Sequence, residues 1–402
     1  MQGETTPILG QVALGYSPFI DRNRAVTATR LTVFPLRPDA VLDVGQLLHE
    51  VGNVWPASGA RVSLNVVSES LLQELLLARP SANLMVEVPA FMAVEPANAD
   101  ALIALHANGS TLLLKGRPLR ELPRQVLPCF KYSIIDLADD RRIGESDAPT
   151  GVTRSIAHVQ SGVRTVVDME ACFARGAQAV LGWPIDDAVT TTARGGKSVA
   201  APGMQAIVEL IRQVDKEESI EKLESTLKRD PALAFKLLRY INSPAFGLRV
   251  EISSFRHAIM MLGYKRLKRW LALLLATASK DVNLKPVMFA AVRRGLLMEE
   301  LVRNSGDEEM RNEMFICGVF SLLDRMFQQP FAELLDAIPV PERVRQALAE
   351  NVGPYQPYVE LVQAIEGEAL YDFREAADKL MMSVSEINRA ELRALMAASE
   401  LE

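Results

Sequence analysis

Histidine and cysteine are scarce in this chain of 402 residues, with four of the first and three of the second. None of His49, His106, His158 and His257 is followed by aspartate, so a hydrolytic centre built on an adjacent His-Asp pair has no residues to form it. Cys129, Cys172 and Cys317 are odd in number and widely spaced, which fits reduced core thiols rather than a disulfide framework. There is no excess of positive charge. A net charge of −6 argues against a bulk electrostatic grip on nucleic acid. Long apolar runs are missing too: Ala272-Leu273-Leu274-Leu275-Ala276 is flanked by charge and too short to span a bilayer. The opening Met1–Pro7 has no basic stretch leading into an apolar one, so no secretory leader is expected. These absences together imply a soluble, cytoplasmic protein.

What is present is ordinary globular material. Hydrophobic residues make up 49% and charged residues 23%, enough for sizeable cores, and the length suggests two or three domains. From about residue 8 to residue 185, strand-like and helix-like segments alternate. Val62–Val66, Leu84–Val88, Thr111–Leu114, Tyr132–Asp136, Ile156–Gln160 and Gln178–Gly182 read as buried strands. Glu69–Leu77, Asn98–His106 and Asp168–Arg175 read as amphipathic helices between them. Repeated strand–helix units predict parallel strands with helical crossovers, and this many favour a barrel. Polar Ala138–Ser155 is a poor helix where one such unit needs one.

Thr190–Gly203 has no periodicity and reads as a linker. Its Gly195-Gly196-Lys197-Ser198 hints at a phosphate loop, but Thr191 stands where the first glycine belongs and no strand leads in. Beyond Met204 the pattern is helical, with stripes at Ile207, Leu210, Ile211, Val214 and at Ile220, Leu223, Leu227. The expected partition is therefore a barrel over 1–189, a linker over 190–203 and a helical domain with C-terminal helices over 204–402.

The most specific segment is Arg229–Gly247. Pro231 opens a helix whose apolar face is Leu233, Leu237, Leu238 and Ile241, and Asn242-Ser243-Pro244 closes it. This closely resembles the signature of HDOD domains, helical bundles related to the HD and HD-GYP phosphohydrolases but lacking their metal ligands. Supporting segments are Ile252–Gly263, which contains His257, and Phe315–Asp324, where Ser321 and Leu322 stand in place of His and Asp. Lone His257 reads as a helix-surface or hydrogen-bonded residue rather than a metal ligand. Asn242-Ser243-Pro244 reads as architecture.

The order of strand-end motifs in residues 8–185 resembles the EAL family of cyclic-di-GMP phosphodiesterases, especially the subgroup fused to an HDOD domain. Pro18-Phe19-Ile20-Asp21-Arg22-Asn23 is similar to that subgroup's start. Carried over by resemblance, the Glu of the name-giving motif falls on Arg30, and the next strand keeps its Asn as Asn65. The Glu-x-x-Glu strand end keeps Glu87 but has Ala90. The paired metal-binding aspartates fall on Lys115 and Gly116, and the Lys-x-Asp strand has Ile134 but keeps Asp136. Ser161 and Arg164 replace the two acids of the following turn, and Leu181 replaces the closing Gln before Gly182-Trp183. The resemblance thus implies a (β/α)8 barrel with no catalytic residues and no metal, in which Asn65, Glu87 and Asp136 are structural polar residues.

The expected function is non-enzymatic: a bacterial signal-transduction scaffold acting through protein–protein contact, with no cofactor and an unspecified protein partner or second copy. The alternative is a cyclic-di-GMP receptor without hydrolysis, in which Arg30, Lys115, Arg117 and Arg164 offer a basic mouth and Trp183 a stacking face. The basic run Lys265-Arg266-Leu267-Lys268-Arg269-Trp270 reads as a solvated helix face, or a docking patch for an acidic surface, before a nucleic-acid site.

Overall fold

In the computed structural model, which describes residues 7–38, 40–140, 156–187, 202–229, 231–242, 252, 254–277 and 281–399, the first half closes into a barrel of eight strands in chain order. They are β1 (Val12–Asp21), β2 (Val26–Pro35), β3 (Arg61–Val66), β4 (Leu84–Pro89), β5 (Thr111–Lys115), β6 (Phe130–Asp136), β7 (Ala157–Ser161) and β8 (Ala179–Leu181). The six strands read from sequence are β3 to β8, and the three helices appear as Glu69–Leu77, Ala99–Ala107 and Val166–Ala174. Two of these helices start where a hydroxyl can cap them: Ser68 accepts from Leu71 N and Thr165 from Asp168 N.

Strands β2 to β8 run parallel, as expected for the six read from sequence, but β1, which was not among them, is antiparallel to both neighbours. The cause is the short link between β1 and β2. Asp21 Oδ1 accepts from Asn23 N and Ala25 N at 2.8 and 2.9 Å, and Arg24 takes a left-handed φ of 62°. A turn this tight makes a hairpin and leaves no room for a crossover helix.

Side chains alternate between the lumen and the outer face with period two. One lumen layer is apolar: Phe19, Ala28, Met85, Leu113, Ile134, Val159 and Leu181 form a single buried cluster. Two residues further toward the C-terminal strand ends the same faces carry Ser17, Arg30, Ser63, Glu87, Lys115, Asp136 and Ser161. The barrel core is thus layered, apolar below and polar above.

The chain divides into two compact units, Met1–Asp187 with Glu360–Glu402, and Ala188–Val359. The C-terminal helices expected with the helical domain therefore belong with the barrel. Asn388, on the helix Val384–Ser399, explains the attachment. Its Oδ1 accepts from Leu14 N at 3.1 Å, and its Nδ2 donates to Leu9 O and Val12 O at 2.8 and 2.7 Å. One buried amide thus satisfies backbone groups at the start of β1. Arg374 also donates to Leu36 O. Most of the expected linker, the Gly195–Ser198 loop, residues 141–155 and Ser243–Gly247 lie outside the described residues.

The second unit is helical, beginning with Pro202–Asp215, Ile220–Lys228, Pro231–Ile241 and Phe255–Ala276. Ile207, Leu210, Ile211, Val214, Leu223, Leu227, Leu233, Leu237 and Ile241 are buried, as helical spacing implies. Asn242 has an architectural role: its Oδ1 accepts from Ile252 N and its Nδ2 donates to Ile252 O, both at 2.7 Å. Helices Lys285–Leu301 and Glu308–Phe320 cross where Gly295 meets Gly318. A Cβ at Gly318 would lie 2.5 Å from Arg294 O. Ser321 is tied by Arg294 Nη1 at 3.1 Å and donates to Gly318 O at 2.7 Å, while Leu322 is buried. Gly318→Ala should destabilise this unit by about 1–3 kcal/mol, because backbone rather than a flexible side chain must move. Urea unfolding followed by circular dichroism checks this.

Candidate functional site

The polar layer of the lumen contains most of the positions singled out from sequence. Arg30 lies within β2 and Glu87 near the end of β4. Arg30 Nε and Nη2 donate to Glu87 Oε1 and Oε2 at 2.9 and 2.8 Å, a two-pronged buried ion pair. Ser63 adds a third hydrogen bond to Glu87 Oε1 at 3.1 Å. Arg30 Nη1 also faces Glu368 Oε2 at 3.5 Å, and Ser17 donates to Glu368 Oε1 at 3.1 Å. Burial works against the Arg30 charge, but Glu87 and Glu368 outweigh it and hold the guanidinium above its ordinary range.

Glu368 comes from the C-terminal segment, 351 residues beyond Ser17. It sits between the helices Gln356–Glu366 and Leu370–Lys379 with a left-handed φ of 52°. Gly15 makes room for this connection: a Cβ there would stand 3.1 Å from Ile365 O and 3.5 Å from the Glu368 side chain. The segment therefore reaches into the C-terminal end of the barrel, where chemistry in such barrels is normally done.

Beside this pair, Lys115 donates to Asn65 Oδ1 at 2.7 Å, and Asn65 Nδ2 donates to Thr32 Oγ1 at 3.2 Å. Burial first, and Arg30 second, lower the Lys115 pKa. Asp136 accepts from Ser161 Oγ at 3.2 Å and from Ala138 N at 3.0 Å. Asn65, Glu87 and Asp136 are thus each partnered. Among the described residues no group of three His, Cys, Asp or Glu is placed to hold a metal ion.

The basic mouth drawn from sequence is not assembled as expected. Arg30 is committed to Glu87 and Glu368. Arg164 donates to Asp186 Oδ2 at 2.7 Å. Trp183 is fully buried, its indole N–H donating to Tyr16 O at 3.0 Å and its ring edge-on to Tyr16, so it offers no stacking face. A buried indole needs a hydrogen-bond acceptor, and the antiparallel β1 supplies one. Lys115 and Arg117 do share a cavity of about 540 Å³ with Arg120 and apolar Val67, Phe91 and Leu119, at the ends of β3 to β5. Arg117 is also paired with Asp140 at 3.7 Å. Ala90 and Gly116 line the same cavity, while Ile134 and Leu181 pack in the apolar layer below. Sequence reading missed Ser17, Ser63 and Glu368, which have no motif around them.

With this geometry in place, the comparisons with known proteins are specific for one region. Residues 201–332 match the model of the HDOD domain. Two curated proteins are similar over part of the chain. The uncharacterized protein YuxH of Bacillus subtilis is 30% identical over 165 residues, 39% of this chain and 39% of that protein. The cyclic di-GMP phosphodiesterase CdgJ of Vibrio cholerae is 28% identical over 160 residues, 40% of this chain and 37% of that protein. The chain thus spans about two fifths of the length of the curated relatives it matches. Among solved structures, the EAL enzyme Bd1971 with cGMP aligns at 13% identity and a TM-score of 0.32, covering 43% of this chain and 61% of that one. The PaMucR phosphodiesterase with c-di-GMP aligns at 17% identity and 0.31, covering 44% and 96%. At such scores the likeness adds nothing to the barrel already described. No helix among the described residues is long and apolar enough to cross a membrane.

Two outcomes follow from the buried charges. Glu87→Gln leaves Arg30 with a weakened partner in the lumen and should cost about 3–5 kcal/mol, read by denaturant unfolding of the whole chain. Glu391, on the terminal helix, is fully buried with neither carboxyl oxygen hydrogen-bonded. Burial, with Glu368 adding repulsion, pushes its pKa from 4.5 up to about 8. Because the folded value is the higher one, its contribution to stability is complete below 4.5 and lost as the pH rises through about 8. Glu391→Gln should flatten that slope, by on the order of a few kcal/mol at the alkaline end. Unfolding measured at a series of pH values tests it.

Proposed function

We propose that this chain is a signalling scaffold that works through protein contacts, with an EAL-like barrel that does not hydrolyse cyclic-di-GMP. The observation that carries this reading is the ion pair between Arg30 and Glu87, closed from above by Glu368. Phosphodiester hydrolysis of this type needs divalent cations held by carboxylates. Here a fixed guanidinium fills the position where the resemblance expects a metal-binding Glu. The one retained carboxylate of the next motif is consumed by that guanidinium and by Ser63. Lys115 adds a second cation where the resemblance expects a pair of aspartates, and its ammonium is spent on Asn65. The match of residues 201–332 to the HDOD model supports a regulatory second half, because Ser321 and Leu322 there offer no metal ligand. The name of the relative CdgJ supports placing the protein in cyclic-di-GMP signalling.

The alternative, a cyclic-di-GMP receptor, is favoured by one feature, the cavity lined by Lys115, Arg117 and Arg120. That cavity lies beside the lumen position filled by Glu368, and it lacks the stacking Trp183. The scaffold reading is therefore preferred.

The full chain, incubated with cyclic-di-GMP and Mg²⁺ or Mn²⁺, should give no linear dinucleotide above a protein-free control. Metal-dependent product that disappears on Glu87→Gln would overturn the proposal. Calorimetric titration of the same nucleotide separates the two readings: saturable heat abolished by Lys115→Ala with Arg117→Ala would favour the receptor.

A further inference from the structure

The helical unit contains a second polar cavity that neither the HDOD match nor the barrel accounts for. Its volume is about 580 Å³, within the range of small-molecule sites. Four helices converge on it: Tyr240 from Pro231–Ile241, Lys265, Arg266 and Arg269 from Phe255–Ala276, Glu299 from Lys285–Leu301, and Arg311 from Glu308–Phe320. Four cationic side chains line it against two carboxylates, Glu299 and Glu308.

The cations are not equally committed. Arg269 is fixed, with Nη1 and Nη2 on the two Glu299 oxygens at 2.7 and 2.5 Å and its guanidinium over the Phe315 ring at 3.8 Å. Arg311 reaches the same Glu299 only at 3.4 Å, and its Nε is buried without a hydrogen-bond partner. Lys265 and Arg266 are exposed and, among the described residues, make no ion pair. Glu299 is thus shared by two arginines, and the cavity keeps an uncompensated positive charge.

Backbone geometry adds to that charge. Gly263 breaks the helix Phe255–Ala276, with φ 68° and ψ 167°, so Tyr264 starts a fresh helical run. Lys265 and Arg266 then lie in the first turn of that run, at the positive end of its dipole. Cations are disfavoured there and anions favoured. An anion in the cavity would relieve this conflict and supply acceptors for Lys265, Arg266 and the Arg311 Nε. Tyr240, held against Trp270 with ring centroids 6.0 Å apart, gives the cavity an aromatic wall.

We propose that this cavity binds the diphosphate of a nucleotide. Lys265, Arg266 and Arg311 take the phosphoryl oxygens, Arg269 with Glu299 fixes the floor, and Tyr240 flanks the nucleoside. The basic run is not a continuous strip for a nucleic-acid backbone, because Lys268 turns away to pair with Asp215.

The test is calorimetric titration of the full chain with inorganic pyrophosphate, ADP and GDP. Saturable binding of at least one is expected, weakened tenfold or more by Lys265→Ala with Arg266→Ala. Both residues are exposed, so the fold is retained, and circular dichroism confirms it. Arg311→Lys, which keeps the charge, should weaken binding less than Arg311→Ala. Pyrophosphate as strong as the nucleotides would assign recognition to the phosphates; tighter nucleotides would add Tyr240. Both results support the diphosphate site. Absence of heat at millimolar ligand, affinity unchanged in the double variant, or binding only to a single-stranded oligonucleotide would each overturn it.

Discussion

The charge on Arg30 is the constraint around which the barrel is arranged. A guanidinium in a closed lumen cannot be left without partners, since its desolvation exceeds what one weak contact returns. Glu87 meets it with both oxygens, Ser63 steadies Glu87, and Glu368 approaches from the far end of the chain. Each of these groups sits on a strand face that alternation turns inward, or on a segment that enters over Gly15. The Arg30 guanidinium thereby becomes the anchor for a segment that reaches over the lumen from the far end of the chain.

What could be read from sequence depended on where each side chain points. Strands β3 to β8 were legible because short apolar runs are bounded by turns. Strands β1 and β2 were not, because their inward faces mix apolar Phe19 and Ala28 with polar Ser17 and Arg30, which interrupt the apolar pattern that marks a buried strand. Asn65, Glu87 and Asp136 could be placed by motif. Glu368 could not, because nothing near it in the chain signals a role and its partners are more than 300 residues away. Trp183 was placed at the right strand end with the wrong purpose, since the sequence does not show that β1 runs antiparallel and offers the Tyr16 carbonyl.

In the helical unit, two polar side chains in segments singled out from sequence hold backbone in place. Asn242 spends its amide on the backbone of Ile252, and Ser321 ties Arg294 to Gly318. The basic run, by contrast, reads from sequence as a solvated helix face or a docking patch for an acidic surface. The break at Gly263 and the pairing of Lys268 with Asp215 divide it, so that three of its cations face one cavity and the fourth does not.

The return of residues 360–399 to the barrel makes the helical unit an insertion within the barrel unit rather than an appendage behind it. On the ribosome, all eight strands and then the whole helical unit emerge before Glu368 exists. Until then Arg30 has Glu87 alone, and the backbone at the start of β1 lacks Asn388. The barrel is therefore the first unit begun and the last completed, and its closing contacts span nearly the full chain, a topology that slows folding. A cut after the last strand, natural as it looks on the sequence, would keep all eight strands but remove Glu368 and Asn388 from the unit they complete.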